Sequence, residues 1–501
     1  MSGFKKRLLE SSNYGKLILL IGLLTIVPLA ILPFYPQDAR YAPAFLIPSA
    51  ASLGIGAPIC FCVPRKEERI TEWRSPLQRG STPVMFAWCF AFFAGAIPFV
   101  IGNQLSLSLA LFESISGWTT TGLSVADVTV LPHIFLFHRA FMQYCGGLGF
   151  IIVITMLVNG KQNMNLYSAE GHSDRLMPSL KKTSRTIFML YSGFLFVGTL
   201  LYCVFGMNLF DSICHTMAAL STAGFTTQAA SIGHYGSAAI ELITILLMLV
   251  GASNFAILLL LVKGRFRQIL RVSESRFMLC LIGVFIALTT LPLMNEGMGA
   301  LESIRNAAFG VVTALTTTGY STMNYSAWPP FSLGLLILLM IIGGSAGSTA
   351  GGIKLIRTYL LIRITKNNIV QRISPARKVA VPHYQRAQGN TPIDQAAIMD
   401  TLGFIACYMG VLVVGTLLLT LTAGCSLLDA LYEFTSAFGT VGVSNGLTHA
   451  GASIGSLLIL MLGMVMGRLE IFIVVIGAYQ VVRMAGDRMR IITEKMRISF
   501  R

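Results

Sequence analysis

Thr120-Thr121-Gly122-Leu123-Ser124, Thr222-Ala223-Gly224-Phe225-Thr226, Thr317-Thr318-Gly319-Tyr320-Ser321 and Thr440-Val441-Gly442-Val443-Ser444 are four versions of one string, Thr-x-Gly-x-[Ser/Thr]. Each lies between two long apolar runs, and successive glycines are 102, 95 and 123 residues apart. Glycine reaches backbone conformations closed to other residues, so one fixed Gly lets the carbonyl oxygens of a loop turn toward a common axis. Four such loops around one axis can replace the water shell of a monovalent cation, as carbonyl rings do in channel filters. The spacing reads as one pore built from tandem repeats.

Composition points the same way. Of 501 residues, 54% are hydrophobic and 12% charged, with a mean hydropathy of +0.71, the profile of a polytopic membrane protein. The stretches 84–101, 187–206 and 277–293 carry no charge and are each long enough for a helix to cross about 30 Å of hydrocarbon. Lys5-Lys6-Arg7 ahead of the apolar run from Leu17 imitates a signal peptide, but no small-residue cleavage site stands out and a second span follows. The expectation is a retained helix.

A net charge of +16 in a soluble protein would suggest nucleic acid. Its distribution argues otherwise: Lys and Arg cluster in residues 1–16, 64–80, 159–187, 263–276, 354–386 and 483–501, each cluster separated from the next by a pair of apolar segments. The positive-inside rule then puts all six clusters, and both termini, on the cytoplasmic face. The stretch 354–386 is also a candidate docking surface for a partner or lipid. Nine cysteines occur without a CxxC or metal-ligand spacing, and mostly within apolar runs, so buried free thiols are expected. His215 reads as a packing or capping residue.

The chain divides into an N-terminal two-helix hairpin with a linker (1–79) and four modules at 80–160, 183–263, 275–365 and 395–482. A basic linker (366–394) and a basic tail (483–501) complete it. Each module has an apolar helix, a shorter half-hydrophobic segment ending in the Gly string, and a second apolar helix. The short segments cannot cross a membrane, and non-helical backbone at that depth must be shielded or line an aqueous cavity, so re-entrant pore loops are expected. Glu113 and Glu433 stand nine residues before their glycines, and Asp211 and Asp429 thirteen before theirs. They are read as lying near the outer N-termini of the pore helices, either favouring the helix dipole or concentrating cations at the mouth. Module 3 differs, with Asn306 and Gly310 at these places and Glu302 further upstream.

Two further strings break the apolar pattern. Gly343-Gly344-Ser345-Ala346-Gly347-Ser348-Thr349-Ala350-Gly351-Gly352 holds five glycines, each costing a helix about 1 kcal/mol relative to Ala. The segment is therefore either a break with a mobile loop or a close helix crossing through small residues. Arg468, in Gly467-Arg468-Leu469-Glu470, is a charge in an otherwise apolar run and a functional-site candidate by default. The alternative is a structural ion pair, for which Glu470 is badly placed because i and i+2 do not share a helical face.

The four modules, the single glycine in each, the two strings and the extra hairpin resemble the Trk/Ktr/HKT superfamily of potassium transporters, most closely its bacterial TrkH-type members. The resemblance spans essentially the whole chain. It implies an all-α polytopic membrane protein with four helix–pore loop–helix modules around a pseudo-fourfold pore. It also implies a potassium selectivity filter made by Thr120 to Leu123, Thr222 to Phe225, Thr317 to Tyr320 and Thr440 to Val443, with K+ as the bound ion and no covalent cofactor. Residues 343–352 would be an intramembrane gate under the filter, with Arg468 projecting onto it. A homodimer in a bacterial inner membrane and a cytoplasmic TrkA-type regulatory subunit, which alone carries the nucleotide, are further implications. No serine replaces a filter glycine as in sodium-permeable relatives, so preference for K+ over Na+ is expected. An ion-coupled symporter or a less selective K+/Na+ transporter is the alternative. A midplane secondary transporter would need inverted repeats, and no HExxH, paired intramembrane carboxylates or nucleotide-binding glycine motif supports an enzyme.

Overall fold

The computed structural model describes residues 13–62, 76–149, 180–325, 328–374, 382–387 and 389–483. Of the expected basic clusters, residues 1–12 of the first, 64–75 of the second, 159–179 of the third and everything beyond residue 483 lie outside them. Two antiparallel helices, α1 (Asn13–Ile26) and α2 (Ala42–Cys62), form the first hairpin. Small residues let their backbones approach closely: a Cβ at Gly15 would meet the Cys60 backbone, and Ser49 Oγ donates to the Gly22 carbonyl at 2.7 Å. The turn docks on the first module, where buried Asp38 accepts from the Ile134 N–H at 3.0 Å.

The first module has α3 (Pro76–Ile101), the pore helix α4 (Leu107–Trp118) and α5 (His133–Leu148). The second has α6 (Leu180–Val204), the pore helix α7 (Leu209–Leu220), then α8 (Ala238–Gly251) and α9 (Phe255–Val262). After the short α10 (Phe266–Ile269), the third has α11 (Ser273–Asn295), the pore helix α12 (Ala300–Leu315), α13 (Pro330–Ile342) and α14 (Leu355–Ile373). The fourth has α15 (Gln395–Ala423), the pore helix α16 (Leu427–Phe438), α17 (Ile454–Arg468) and α18 (Ile471–Arg483). Three pore helices have 12 residues and one has 16, so at about 1.5 Å per residue they fall short of a bilayer core and reach only part-way in.

The architecture is all-α and polytopic, with one exception. Strands β1 (His383–Arg386) and β2 (Gly389–Pro392) pair antiparallel inside the segment read as a plain linker. Tyr384 and Ile393 bury themselves there against Leu360 and Ile364 of α14, and the Gln385 N–H donates to Ser273 Oγ at the start of α11.

Among the described residues, the second helices of modules 2, 3 and 4 are interrupted, which goes beyond the single break expected in module 3. Helix α5 ends at Gly149, whose φ is 78°. Helices α8 and α9 meet at 119°, with Asn254 capping the second piece through its bond from the Ala256 N–H, and α17 and α18 meet at 106°. The cysteines also depart from expectation. Cys60 and Cys214 are buried, but Cys89, Cys280 and Cys407 sit on outward helix faces, because an apolar run in a membrane helix turns residues to lipid as well as to the core.

Candidate ion pathway

Each pore helix ends the same way. The threonine that opens the string has a positive φ, 55° at Thr120, 48° at Thr222, 55° at Thr317 and 51° at Thr440. The residue after it donates back to the last full turn, as in Thr121 N–H to Ser116 O at 2.9 Å and Thr318 N–H to Thr313 O at 3.0 Å. This is a Schellman ending with a β-branched residue where glycine is usual, a conformation that costs about 1–3 kcal/mol and persists only when its surroundings impose it. Two residues on, the glycines return to positive φ: 91° at Gly122, 74° at Gly224, 82° at Gly319 and 95° at Gly442.

The four loops close into a ring. A Cβ added at Gly122 would strike the Ala223 carbonyl oxygen, one at Gly224 that of Thr318, one at Gly319 that of Val441, and one at Gly442 that of Thr121, all well inside 3.0 Å. Every seam therefore excludes any side chain at the glycine. Phe225, Tyr320, Val443 and Leu123 follow the glycines and are buried outside the ring.

The carboxylates correct the expectation placed on them. Glu113 and Glu433 lie in the middle of their pore helices, where nine residues before the glycine falls in a 12-residue helix, and neither caps an N-terminus. Glu113 accepts from Ser124 Oγ at 3.0 Å and the Val125 N–H at 3.1 Å, and Glu433 from Ser444 Oγ at 2.8 Å and the Asn445 N–H at 3.0 Å. They pin the chain as it leaves the ring. Asp211 and Asp429 do sit in first turns, next to the capping residues Asn208 and Ser426. Asp211 also holds Thr227 Oγ1 at 2.5 Å and Tyr235 OH at 2.8 Å. In module 3 the ring of Trp328 occupies the space that a side chain at position 310 would need. His215 is buried and bonds the Asp211 carbonyl at 2.8 Å, a packing role.

Arg139 escaped sequence reasoning although it is one of four basic residues outside the clusters. It is 2% exposed, bonds Glu113 at 2.6 Å, and donates to Ser124 Oγ at 2.8 Å and to the Thr226 carbonyl at 3.1 Å. With Asp127 and Gln228 it borders a cavity of about 270 Å³ outside Gly122 and Gly224.

Below the ring, residues 343–354 run as a non-helical loop between α13 and α14, with positive φ at Gly343, Gly347, Gly352 and Lys354. Thr349 Oγ1 lies 3.0 Å from Thr222 Oγ1 and contacts the Leu220 and Gly251 carbonyls, and the Gly351 N–H donates to Thr317 Oγ1 at 2.8 Å. Asn254 holds the Ala346 carbonyl at 2.6 Å, and Glu274 accepts from the Ala346 N–H at 2.9 Å. Arg468 reaches this loop from the break between α17 and α18, donating to the Thr349 carbonyl at 2.5 Å and the Gly146 carbonyl at 2.6 Å. Glu470 pairs instead with Arg357 at 3.0 Å.

With this geometry established, comparison with known proteins is informative. The family model TrkH, described as cation transport protein, matches residues 63–483. The chain belongs to the TrkH family. Among its relatives, the Trk system potassium uptake protein TrkH of Escherichia coli K12 is 30% identical over 476 residues, covering 91% of this chain and 95% of that one. The protein of the same name from Halomonas elongata is 29% identical and covers 92% and 96%. The crystal structure of the potassium transporter TrkH from Vibrio parahaemolyticus superposes with a TM-score of 0.80 at 27% identity, over 92% of this chain and 96% of that one.

Proposed function

We propose that this TrkH-family chain takes up potassium across a bacterial inner membrane through the ring formed at Gly122, Gly224, Gly319 and Gly442. The observation that carries the reading is the closure of that ring: four loops of one chain, each glycine against the carbonyl of the next loop. A second observation fits a dehydrated cation beneath it. Among the described residues, the hydroxyls of Thr120 and Thr440 are buried without a hydrogen-bond partner, whereas those of Thr222 and Thr317 are taken by the loop below. Buried hydroxyls rarely go unsatisfied, and a K+ ion supplies what these two lack.

The 343–352 loop and Arg468 then form the floor of the pathway, a closed gate. A guanidinium there opposes a passing cation and ties the loop to two modules. A homodimer and a TrkA-type nucleotide-binding subunit acting on the gate follow from the family resemblance, the latter supported by the basic 354–386 stretch, and cytoplasmic termini follow from the distribution of Lys and Arg. Fluxes of labelled K+ and Na+ into vesicles containing the purified protein, with and without a pH gradient, test the reading. Expected is K+ flux exceeding Na+ flux and independent of the gradient; equal fluxes would overturn the selectivity, and gradient-driven K+ accumulation would replace the channel by a symporter.

A further inference from the structure

The four seams of the ring are held differently. Between loops 2 and 3 the backbone of Ser321 makes both links, its carbonyl accepting from the Gly233 N–H at 3.1 Å and its N–H donating to Ser231 Oγ at 3.2 Å. Between loops 1 and 2 the link comes from side chains of α5. Gln143 Nε2 donates to the Ala223 carbonyl at 2.7 Å, and its Oε1 accepts from the Phe225 N–H at 3.2 Å. One turn away, Arg139 holds the Thr226 carbonyl and stacks 4.0 Å from the Phe225 ring centre. The carbonyls equivalent to Ala223 are those of Thr121, Thr318 and Val441, each in the same relation to a neighbouring glycine. Among the described residues, no side chain donates to any of these three.

The modules themselves supply the comparison. Gly146, Gly251 and Gly467 are equivalent, since a Cβ at each would strike the carbonyl of the last pore-helix residue, Trp118, Leu220 and Phe438 respectively. Three residues before them stand Gln143, Met248 and Met464, and Met340 stands three before Gly343, where α13 ends. All four side chains are buried, but only the first can hydrogen-bond strongly. A glutamine at a site where three repeats place methionine, fully buried and with both ends of its amide engaged by one loop, is a local cost that packing alone does not require.

Resting on the reading of the ring as the ion path, we infer that Gln143 is a selectivity-determining positioning residue, which breaks the fourfold symmetry of the ring by fixing the direction of the Ala223 carbonyl. Filter discrimination depends on how firmly the oxygens are held or on their field strength. A donor bonded to one carbonyl from outside acts on both: it anchors the oxygen and occupies part of its lone-pair density, which disfavours the smaller, more strongly hydrated Na+.

The test is the exchange Gln143→Met, which gives module 1 the residue its sister modules already accommodate. The readout is the K+/Na+ permeability ratio from reversal potentials, which does not depend on how much protein has folded. A fall of about fivefold is expected, the equivalent of ~1 kcal/mol for one hydrogen bond. Gln143→Leu, of similar size, removes both the donor and the acceptor; it should lower the ratio as well, and it carries the test if the methionine variant does not fold. An unchanged ratio in a folded variant of either kind overturns the inference while leaving the ion path intact. Equal K+ and Na+ permeabilities in the unmodified protein would overturn the path and the inference together.

Discussion

Arg468 and Thr349 meet at 2.5 Å across a separation of 119 residues, the guanidinium of one broken helix on the carbonyl of another. The same guanidinium bonds the Gly146 carbonyl, so one side chain joins modules 1, 3 and 4 beneath the ring. Arg468→Ala removes the positive charge and both bonds. Hydrogen bonds to a charged group are each worth roughly 1.5–3 kcal/mol, so flux per folded molecule should rise about tenfold or more. Flux normalised to folded protein checks this: lost expression with unchanged flux per surviving molecule would mark Arg468 as structural.

Shortening the loop is a separate route to the same opening. Residues 345–350 contact Ala252, Asn254, Leu220 and Thr222 but contribute no helix to the scaffold. Deleting them should raise flux and weaken dependence on a cytoplasmic regulatory subunit, while thermal unfolding in detergent shifts little. A deletion protein that inserts normally and conducts no better would identify the segment as a packing element.

Gly122→Ser puts a side chain where the Ala223 carbonyl oxygen lies and at a φ of 91° that serine rarely adopts. The loop must shift to accept it. The K+/Na+ permeability ratio should drop by about tenfold or more, a strain of 1–3 kcal/mol expressed at the site itself. Gly206, also at positive φ but with open space around its Cβ, is the control, and Gly206→Ser should leave the ratio unchanged.

Glu113→Gln strands Arg139 as an uncompensated buried charge, which costs about 3–5 kcal/mol. Glu433→Gln leaves only hydroxyls and a backbone N–H to re-pair, at roughly 1–3 kcal/mol. Thermal unfolding of the two variants in one detergent should therefore show the larger drop in Tm for Glu113→Gln, and the reverse order would contradict the assignment of Arg139 to Glu113.

Much of the site was legible because its instructions are local. A glycine two residues after a threonine, at the end of a helix too short to cross, specifies the turn with atoms a few residues apart, and the four copies repeat it. The glycine-rich break and Arg468 also stood out, each an interruption of an apolar pattern. Arg139 stood outside the basic clusters but its partners did not show in the chain around it, and nothing near Gln143 is unusual. The signal for Gln143 appears only when the second helices are aligned on Gly146, Gly251 and Gly467, glycines whose equivalence rests on contacts to pore helices. The roles of Glu113 and Glu433 were misread for the same reason, since their partners come from the chain beyond the glycine.

The sequence by itself determined that this is an all-α membrane protein of four pore modules, because hydropathy, glycine placement and charge clustering act through the bilayer and the local backbone. Only the tertiary structure decided which carbonyl each buried charge holds, how the seams of the ring are bonded, and that the second helices of modules 2, 3 and 4 all break. Arg468 and Gly146 are 322 residues apart, and nothing in either neighbourhood names the other. Such pairings are set when helices from different modules reach packing distance, where a buried donor must find whatever acceptor the fold has brought beside it.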